Sequence, residues 1–265
     1  MKVSKILVNP KYMYNEGFDN FLKNLPVLFD TMGRTIYDGR NTIKIFAPPE
    51  SHFNVDIAVK KYKVPNPIQR VHYTLSGNTK CVRAYINGMT LKVFGFSTPE
   101  SIAMVETKKN GFFHTGYYVS MVANNEKNLN DLITENGQIN TQLADQFAEM
   151  LAKLHTNGLV FNDLNLTNVL CTKQYDGSTL FTLVDTNRMK YYGKKVLPWK
   201  FCLADFKSVT GGFEFYNHVV NKYCEIRNIN KNKEIDKLIA IKALHNIHYR
   251  RKKKFLHGLK NFVLH

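Results

Sequence analysis

Alternation dominates the first half of the chain. Arg34-Thr35-Ile36-Tyr37 and Thr42-Ile43-Lys44-Ile45-Phe46 flank Asp38-Gly39-Arg40-Asn41, the pattern of two strands joined by a tight turn. Residues 54–60 alternate as well: Ile57 and Val59 fall on one face, and Asp56, Ala58 and Lys60 on the other. Val64-Pro65-Asn66-Pro67 breaks that run. Residues 79–94 suit a helix, stopped by Gly95 and Thr98-Pro99. Residues 102–107 and 116–122 read as two further strands. Closer to the N-terminus, Phe18, Phe21, Leu22 and Leu25 share one face of a helix.

The periodicity then changes. Leu143, Phe147, Met150, Leu151 and Leu154 form one helical stripe, which reads as core. Polarity shifts at Ala123-Asn124-Asn125-Glu126, so the chain divides into a strand-rich domain over residues 1–122 and a helical domain over residues 123–265. The expected fold class is α+β.

Composition narrows the function. No apolar run approaches the roughly 18 residues of a membrane span. Ile6-Leu7-Val8 is too short for a secretory core, so a cytoplasmic protein is expected. Cys81, Cys171, Cys202 and Cys224 are scattered singly, as expected of buried free thiols rather than a zinc site or disulfide framework. His245 and His248 have no third ligand beside them in sequence. The net charge of +16 calls for a polyanionic partner. Arg250, Arg251, Lys252, Lys253 and Lys254 sit between apolar neighbours, a pattern suited to an anionic membrane surface and a peripheral location at the inner membrane. No nucleic-acid-binding signature is present, and no nucleic acid partner is expected.

Chemistry concentrates after the striped helix. Gly158 closes it, and Asp163 follows in Phe161-Asn162-Asp163-Leu164-Asn165. Asn168 comes five residues later, at the start of a hairpin turning at Asp176-Gly177, and Asp185 leaves the second strand. A carboxylate that orients a hydroxyl and accepts its proton, with two hard oxygen ligands for magnesium, is what phosphoryl transfer requires. Asp163 suits the first role, and Asn168 and Asp185 the second. Upstream, Ile57-Ala58-Val59-Lys60 resembles the V-A-I-K strand whose lysine grips nucleotide phosphates.

Taken in order, Lys60, Asp163, Asn168 and Asp185 resemble a eukaryotic-type protein kinase fold. Within it the chain is similar to the bacterial lipopolysaccharide-core kinases, the Kdo and heptose kinases. The segments that carry this likeness are Tyr37 to Lys44, Asp56 to Tyr62, Thr79 to Leu91, Gly95 to Ala103 and the Asp163 to Asn168 loop. The resemblance implies a bilobal protein-kinase-like fold that uses ATP and Mg2+. It implies that Lys60 contacts the phosphates, that Asp163 is the base, and that Asn168 and Asp185 hold magnesium. It further implies that Gly39 lies in the phosphate loop and that the backbone from Met121 to Ala123 meets adenine. The implied acceptor is a lipid A/Kdo-type glycolipid, phosphorylated on a sugar hydroxyl, with Kdo the expected sugar.

The chain departs from the protein kinase pattern in three places. No Asp or Glu occurs between Ile57 and Pro99, and Ile86 and Asn87 stand near the position of the helix glutamate that pairs with the strand lysine. Either Glu100 or Glu106 takes that role or Lys60 lacks such a partner. The D-F-G triplet reads Asp185-Thr186-Asn187, and Asn162 replaces the arginine of H-R-D. Two alternatives follow: another small-molecule or protein kinase of the same superfamily, or a pseudokinase that only binds.

Overall fold

A computed structural model of the chain describes residues 2–13, 15–123, 127–135, 137–193, 195–229, 238, 240, 242 and 243. The basic run Arg250 to Lys254 and the pair His245 and His248 lie outside the described residues. Contacts divide the chain into two compact units: Met1–Glu126 with Thr182–Met189, and Lys127–Phe181 with Lys190–His265.

The first unit is built on β1 (Lys2–Val8), α1 (Glu16–Thr31), β2 (Arg34–Asp38), β3 (Thr42–Phe46), α2 (Pro48–Ser51), β4 (Ile57–Lys61), α3 (Pro67–Ser76), α4 (Lys80–Val93), β5 (Ser101–Lys109) and β6 (Phe112–Met121). Its strands form one antiparallel sheet in the order β1-β5-β6-β4-β3-β2. Asn15 caps α1, its Oδ1 accepting the Phe18 N–H at 3.0 Å. The apolar stripe of α1 then buries Phe18, Phe21, Leu22, Leu25 and Phe29 against Phe46, Ile57, Val59, Val105 and Val119. Met104 faces the opposite way from Val105 and packs with Tyr62 against Cys81, Val82, Ala84 and Tyr85 of α4. Both faces of the sheet's centre are thus covered, which explains why β5 is buried over seven consecutive residues.

Helix α4 lies close on the sheet because of Gly88. A Cβ at that position would stand 2.3 Å from Ser101 Oγ, which is itself hydrogen-bonded to Tyr118 OH at 2.9 Å. Thr79 caps the helix, and its hydroxyl donates to buried Glu106 Oε1 at 2.5 Å. A carboxylate is thereby placed at the positive end of α4.

The second unit contains β7 (Lys127–Asn128), β8 (Thr134–Glu135), β9 (Gln138–Ile139), α5 (Thr141–Thr156), β10 (Leu159–Val160), β11 (Val169–Lys173), most of β12 (Thr179–Leu183), β13 (Lys190–Tyr191), α6 (Trp199–Ser208) and α7 (Phe213–Ile226). The α5 stripe buries Leu143, Phe147, Leu151 and Leu154, and Phe147 stacks on Phe215 of α7 at 6.4 Å. Gly158 follows α5 at φ +78°, where a Cβ would lie 1.9 Å from Gly193 O. Only glycine fits there.

In the first unit β1, α2 and α3 were not anticipated, and in the second β7, β8, β9, β13, α6 and α7 were not placed individually. β1 borders β5 as an edge strand. α3 begins inside the Pro65-Asn66-Pro67 breaker: Asn66 Oδ1 accepts the Gln69 N–H at 2.8 Å and Pro67 occupies the first helical turn. All four cysteines are free and buried. Among the described residues no helix is long and apolar enough to cross a membrane.

Candidate active site

Strand parity sorts the two lysines at the end of β4. Ile57 and Val59 point into the α1 core, so Lys61 shares their face. Its ammonium pairs with Asp30 at 2.6 Å and lies over the rings of Phe29 and Tyr117. Lys60 points to the α4 face. Its Nζ meets Asp185 Oδ1 at 2.6 Å and lies 5.5 Å from the Tyr62 ring centroid. The Lys60 and Asp185 side chains are only 15% and 29% exposed, so this pair is screened less than a surface pair. Burial, and then the Asp185 charge, drives the Tyr62 phenol well above its usual range.

Asp185 is held in the left-handed region at φ 60°, which aspartate tolerates better than most residues. Asn187, standing where D-F-G has glycine, donates from Nδ2 to Asp185 Oδ1 at 2.6 Å. The strand leading to Asp185 is anchored to the segment after α4: Leu183 N–H donates to Ser97 O at 2.9 Å, and Thr98 Oγ1 to Leu183 O at 2.7 Å. Cations also lie near Lys80. Burial and the nearby Arg40, Arg188 and Arg83 hold the Lys80 ammonium below its usual range, with Asp185 opposing them. Such crowding of like charge is characteristic of a polyanion site. Arg40 lies beside Gly39 in the β2–β3 turn, where Gly39 N–H donates to Asn41 O at 3.1 Å.

The partner of Lys60 is therefore neither of the two glutamates considered above. Glu100 pairs with Lys11 at 3.0 Å, and Glu106 is engaged by Thr79. Asn87, in the region of the missing glutamate, donates instead to two backbone carbonyls, Thr186 O at 2.7 Å and Met189 O at 3.0 Å. Met121 ends β6 with its N–H bonded to Glu100 O at 2.9 Å, and Ala123 follows outside the strand.

In the second unit, Asp163 and Asn168 sit on one loop. Asn168 Nδ2 donates to the Asp163 carbonyl at 3.0 Å, which fixes the direction of the carboxamide oxygen. The loop is braced from behind by the end of α6 and the residues after it. Asp205 accepts the N–H groups of Phe161 at 2.8 Å and Asn162 at 2.6 Å. Ser208 Oγ accepts the Leu164 N–H at 2.8 Å, and Thr210 Oγ1 the Leu166 N–H at 3.3 Å. These contacts hold Asn162 at φ 63° immediately before Asp163. Asp205 also meets His155 Nε2 at 3.1 Å, and His155 Nδ1 lies 2.7 Å from Tyr223 OH. Sequence reading passed over this brace. Its one signal was a carboxylate set among Leu203, Ala204 and Phe206 on a helix.

Each unit thus brings together its own part of the expected set: Lys60 with Asp185 in the first, Asp163 with Asn168 in the second. The oxygen donors suit a hard cation on a nucleotide phosphate. Among the described residues no group of three or more His, Cys, Asp and Glu forms a separate metal site.

Comparison with known proteins bears on the fold and the family. The solved structure described as "WaaP in complex with acyl carrier protein" superposes with a TM-score of 0.57 at 11% identity, over 93% of this chain and 100% of that one. That likeness shows the fold, which is protein-kinase-like. No curated protein matches the chain in sequence. The family model described as "Lipopolysaccharide kinase (Kdo/WaaP) family" matches residues 64–195, a span that includes Asp163, Asn168 and Asp185. The chain belongs to the lipopolysaccharide kinase (Kdo/WaaP) family, and with it to the phosphotransferases of lipopolysaccharide synthesis.

Proposed function

We propose that the chain transfers the γ-phosphoryl group of Mg-ATP to a sugar hydroxyl of the lipopolysaccharide inner core, with Kdo as the acceptor sugar. The observation that carries this reading is the Lys60–Asp185 pair at 2.6 Å, with Arg83 held nearby by its hydrogen bond to Asn187 O at 2.9 Å. Lys60 contacts the α and β phosphates, and the β2–β3 turn with Gly39 and Arg40 covers them. Ala123 offers backbone to adenine, beside Met121 at the end of β6. The Asp185 carboxylate and the Asn168 carboxamide oxygen hold the magnesium ion. When bound, that ion neutralises charge on the phosphates.

Asp163 orients the acceptor hydroxyl and takes its proton. The hydroxyl oxygen forms its bond to the γ-phosphorus as the bond between that phosphorus and the β,γ-bridging oxygen breaks, and ADP leaves. The brace from Asp205, Ser208 and Thr210 keeps the loop in place without any contribution from the acceptor. The basic run at Arg250 to Lys254 holds the enzyme at the anionic inner-membrane face where such a glycolipid is presented.

Thermal melts with Mg-ATP test the nucleotide site. Ligand at a hundred times its dissociation constant stabilises by about 2.7 kcal/mol. For a chain of this size that corresponds to a rise of roughly 5–10 °C. The expected result is a magnesium-dependent rise that Asp185→Ala abolishes. No rise in the wild type, or an equal rise in Asp185→Ala, contradicts the reading.

A further inference from the structure

Helix α4 reaches the Asp185 segment with one face. Arg83 Nε donates to Asn187 O at 2.9 Å, Asn87 Nδ2 to Thr186 O and Met189 O, and the Thr186 hydroxyl to Ala84 O at 3.2 Å. Positions 83, 84 and 87 lie within one turn and share that face. Four hydrogen bonds therefore tie the helix to backbone and side chain on the C-terminal side of Asp185. An ion pair from the helix to Lys60 is not what joins these elements, because no carboxylate lies on α4 at all.

We propose that Asn87 is a positioning residue that sets the Asp185 carboxylate through the backbone of residues 186–189, in place of the helix glutamate found in protein kinases. The proposal rests on the phosphotransfer reading above. Its chemistry is specific to a carboxamide. The two N–H groups of Nδ2 satisfy two carbonyls at once, and the planar amide fixes the spacing between them. A glutamate at this position would face both carbonyls with acceptors only and would repel them. The departure from the kinase pattern and the clasp on residues 186–189 are then one feature: the loop lacks the D-F-G glycine and is held by the helix. Lys60, without a helix partner, has Asp185 itself as its anchor.

The discriminating variant is Asn87→Asp, which keeps the shape and removes both donors. Hydrogen exchange on the nucleotide-free protein is read for residues 186–189, with α5 as the internal control. The magnesium concentration giving half-maximal nucleotide stabilisation is read by thermal melt with ATP. The expected result is exchange at least about tenfold faster at residues 186–189, equivalent to about 1.4 kcal/mol, with α5 unchanged. Half-saturation by magnesium also rises by about tenfold or more, which a general loss of stability would not produce. Arg83→Lys, which can still donate to Asn187 O, shifts both readouts less.

Unchanged exchange at residues 186–189 overturns the proposal. Faster exchange with an unaltered magnesium requirement also overturns it, leaving a structural tie only. A wild type with no magnesium-dependent nucleotide shift overturns the phosphotransfer reading, and the positioning role with it. Loss of the α5 control in Asn87→Asp moves the same test to Asn87→Ser, which leaves at most one donor and is held to the same outcomes.

Discussion

His155 is wholly buried at the end of α5, between Tyr223 OH and Asp205. Burial favours the neutral imidazole, but the Asp205 hydrogen bond and charge, with Cys202 beside it, outweigh that and raise the pKa to about 9. A folded value above the unfolded one of roughly 6.5 gives stabilisation that is complete below that pH. The contribution fades as pH rises through the folded value, and in full amounts to something on the order of 3 kcal/mol. Denaturant unfolding at a series of pH values should therefore show wild-type stability falling between pH ~6.5 and ~9 relative to His155→Gln. Parallel curves for the two proteins would show that His155 does not carry a proton there. The same residue illustrates how the site could be read in sequence. Lys60, Asp163, Asn168 and Asp185 were legible because their order and spacing are local strings. His155, Asp205 and Tyr223 are 50 and 68 residues from one another's partners, and no local pattern announces that they meet.

At the scale of elements, the helix-to-sheet distance in the first unit depends on Gly88. In an unobstructed helix, Gly→Ala stabilises by about 1 kcal/mol. Here the added Cβ would overlap Ser101 Oγ at 2.3 Å and crowd Tyr118 OH at 3.1 Å. Overpacking of this kind costs about 1–3 kcal/mol, so Gly88→Ala is expected to be neutral or destabilising by urea titration. The pair Gly88→Ala with Ser101→Ala should recover stability relative to the single variant, since the nearest obstruction is removed. Additive effects of the two substitutions would contradict the close approach. Helices α1, α4 and α5 follow from helical stripes because each buries one face, while strands β2 to β6 follow from alternation and from the β2–β3 turn signal. β1 was hidden because an edge strand with no buried residue carries little burial signal: its residues are exposed or half-exposed. α3 was hidden because Asn-Pro reads equally as a breaker and as a cap followed by a first turn.

For the whole molecule, the charge of +16 acquires a local explanation in part. No Asp or Glu occurs between Ile57 and Pro99, so the segment from β4 through α4 is purely cationic among its charged side chains. Of these cations, Lys60 pairs with Asp185 and Arg83 donates to Asn187 O two residues on. Such a distribution steers polyanions, and its effect weakens as salt rises. Fold class was legible because a strand-rich half followed by a helical half admits few architectures once the catalytic string is fixed. The placement of Thr182–Met189 with the first unit was not, since it depends on hydrogen bonds to Ser97, Ala84 and Asn87 that only the folded chain brings together. Transfer of label from γ-labelled ATP with magnesium to Kdo-bearing lipid A, by the wild type and by Asp163→Asn, tests the central claim most directly. The expected result is phosphorylation of the Kdo sugar by the wild type and a rate lower by about 100-fold or more in Asp163→Asn. No transfer to that acceptor by folded, nucleotide-binding wild type, or an undiminished rate in Asp163→Asn, would contradict it.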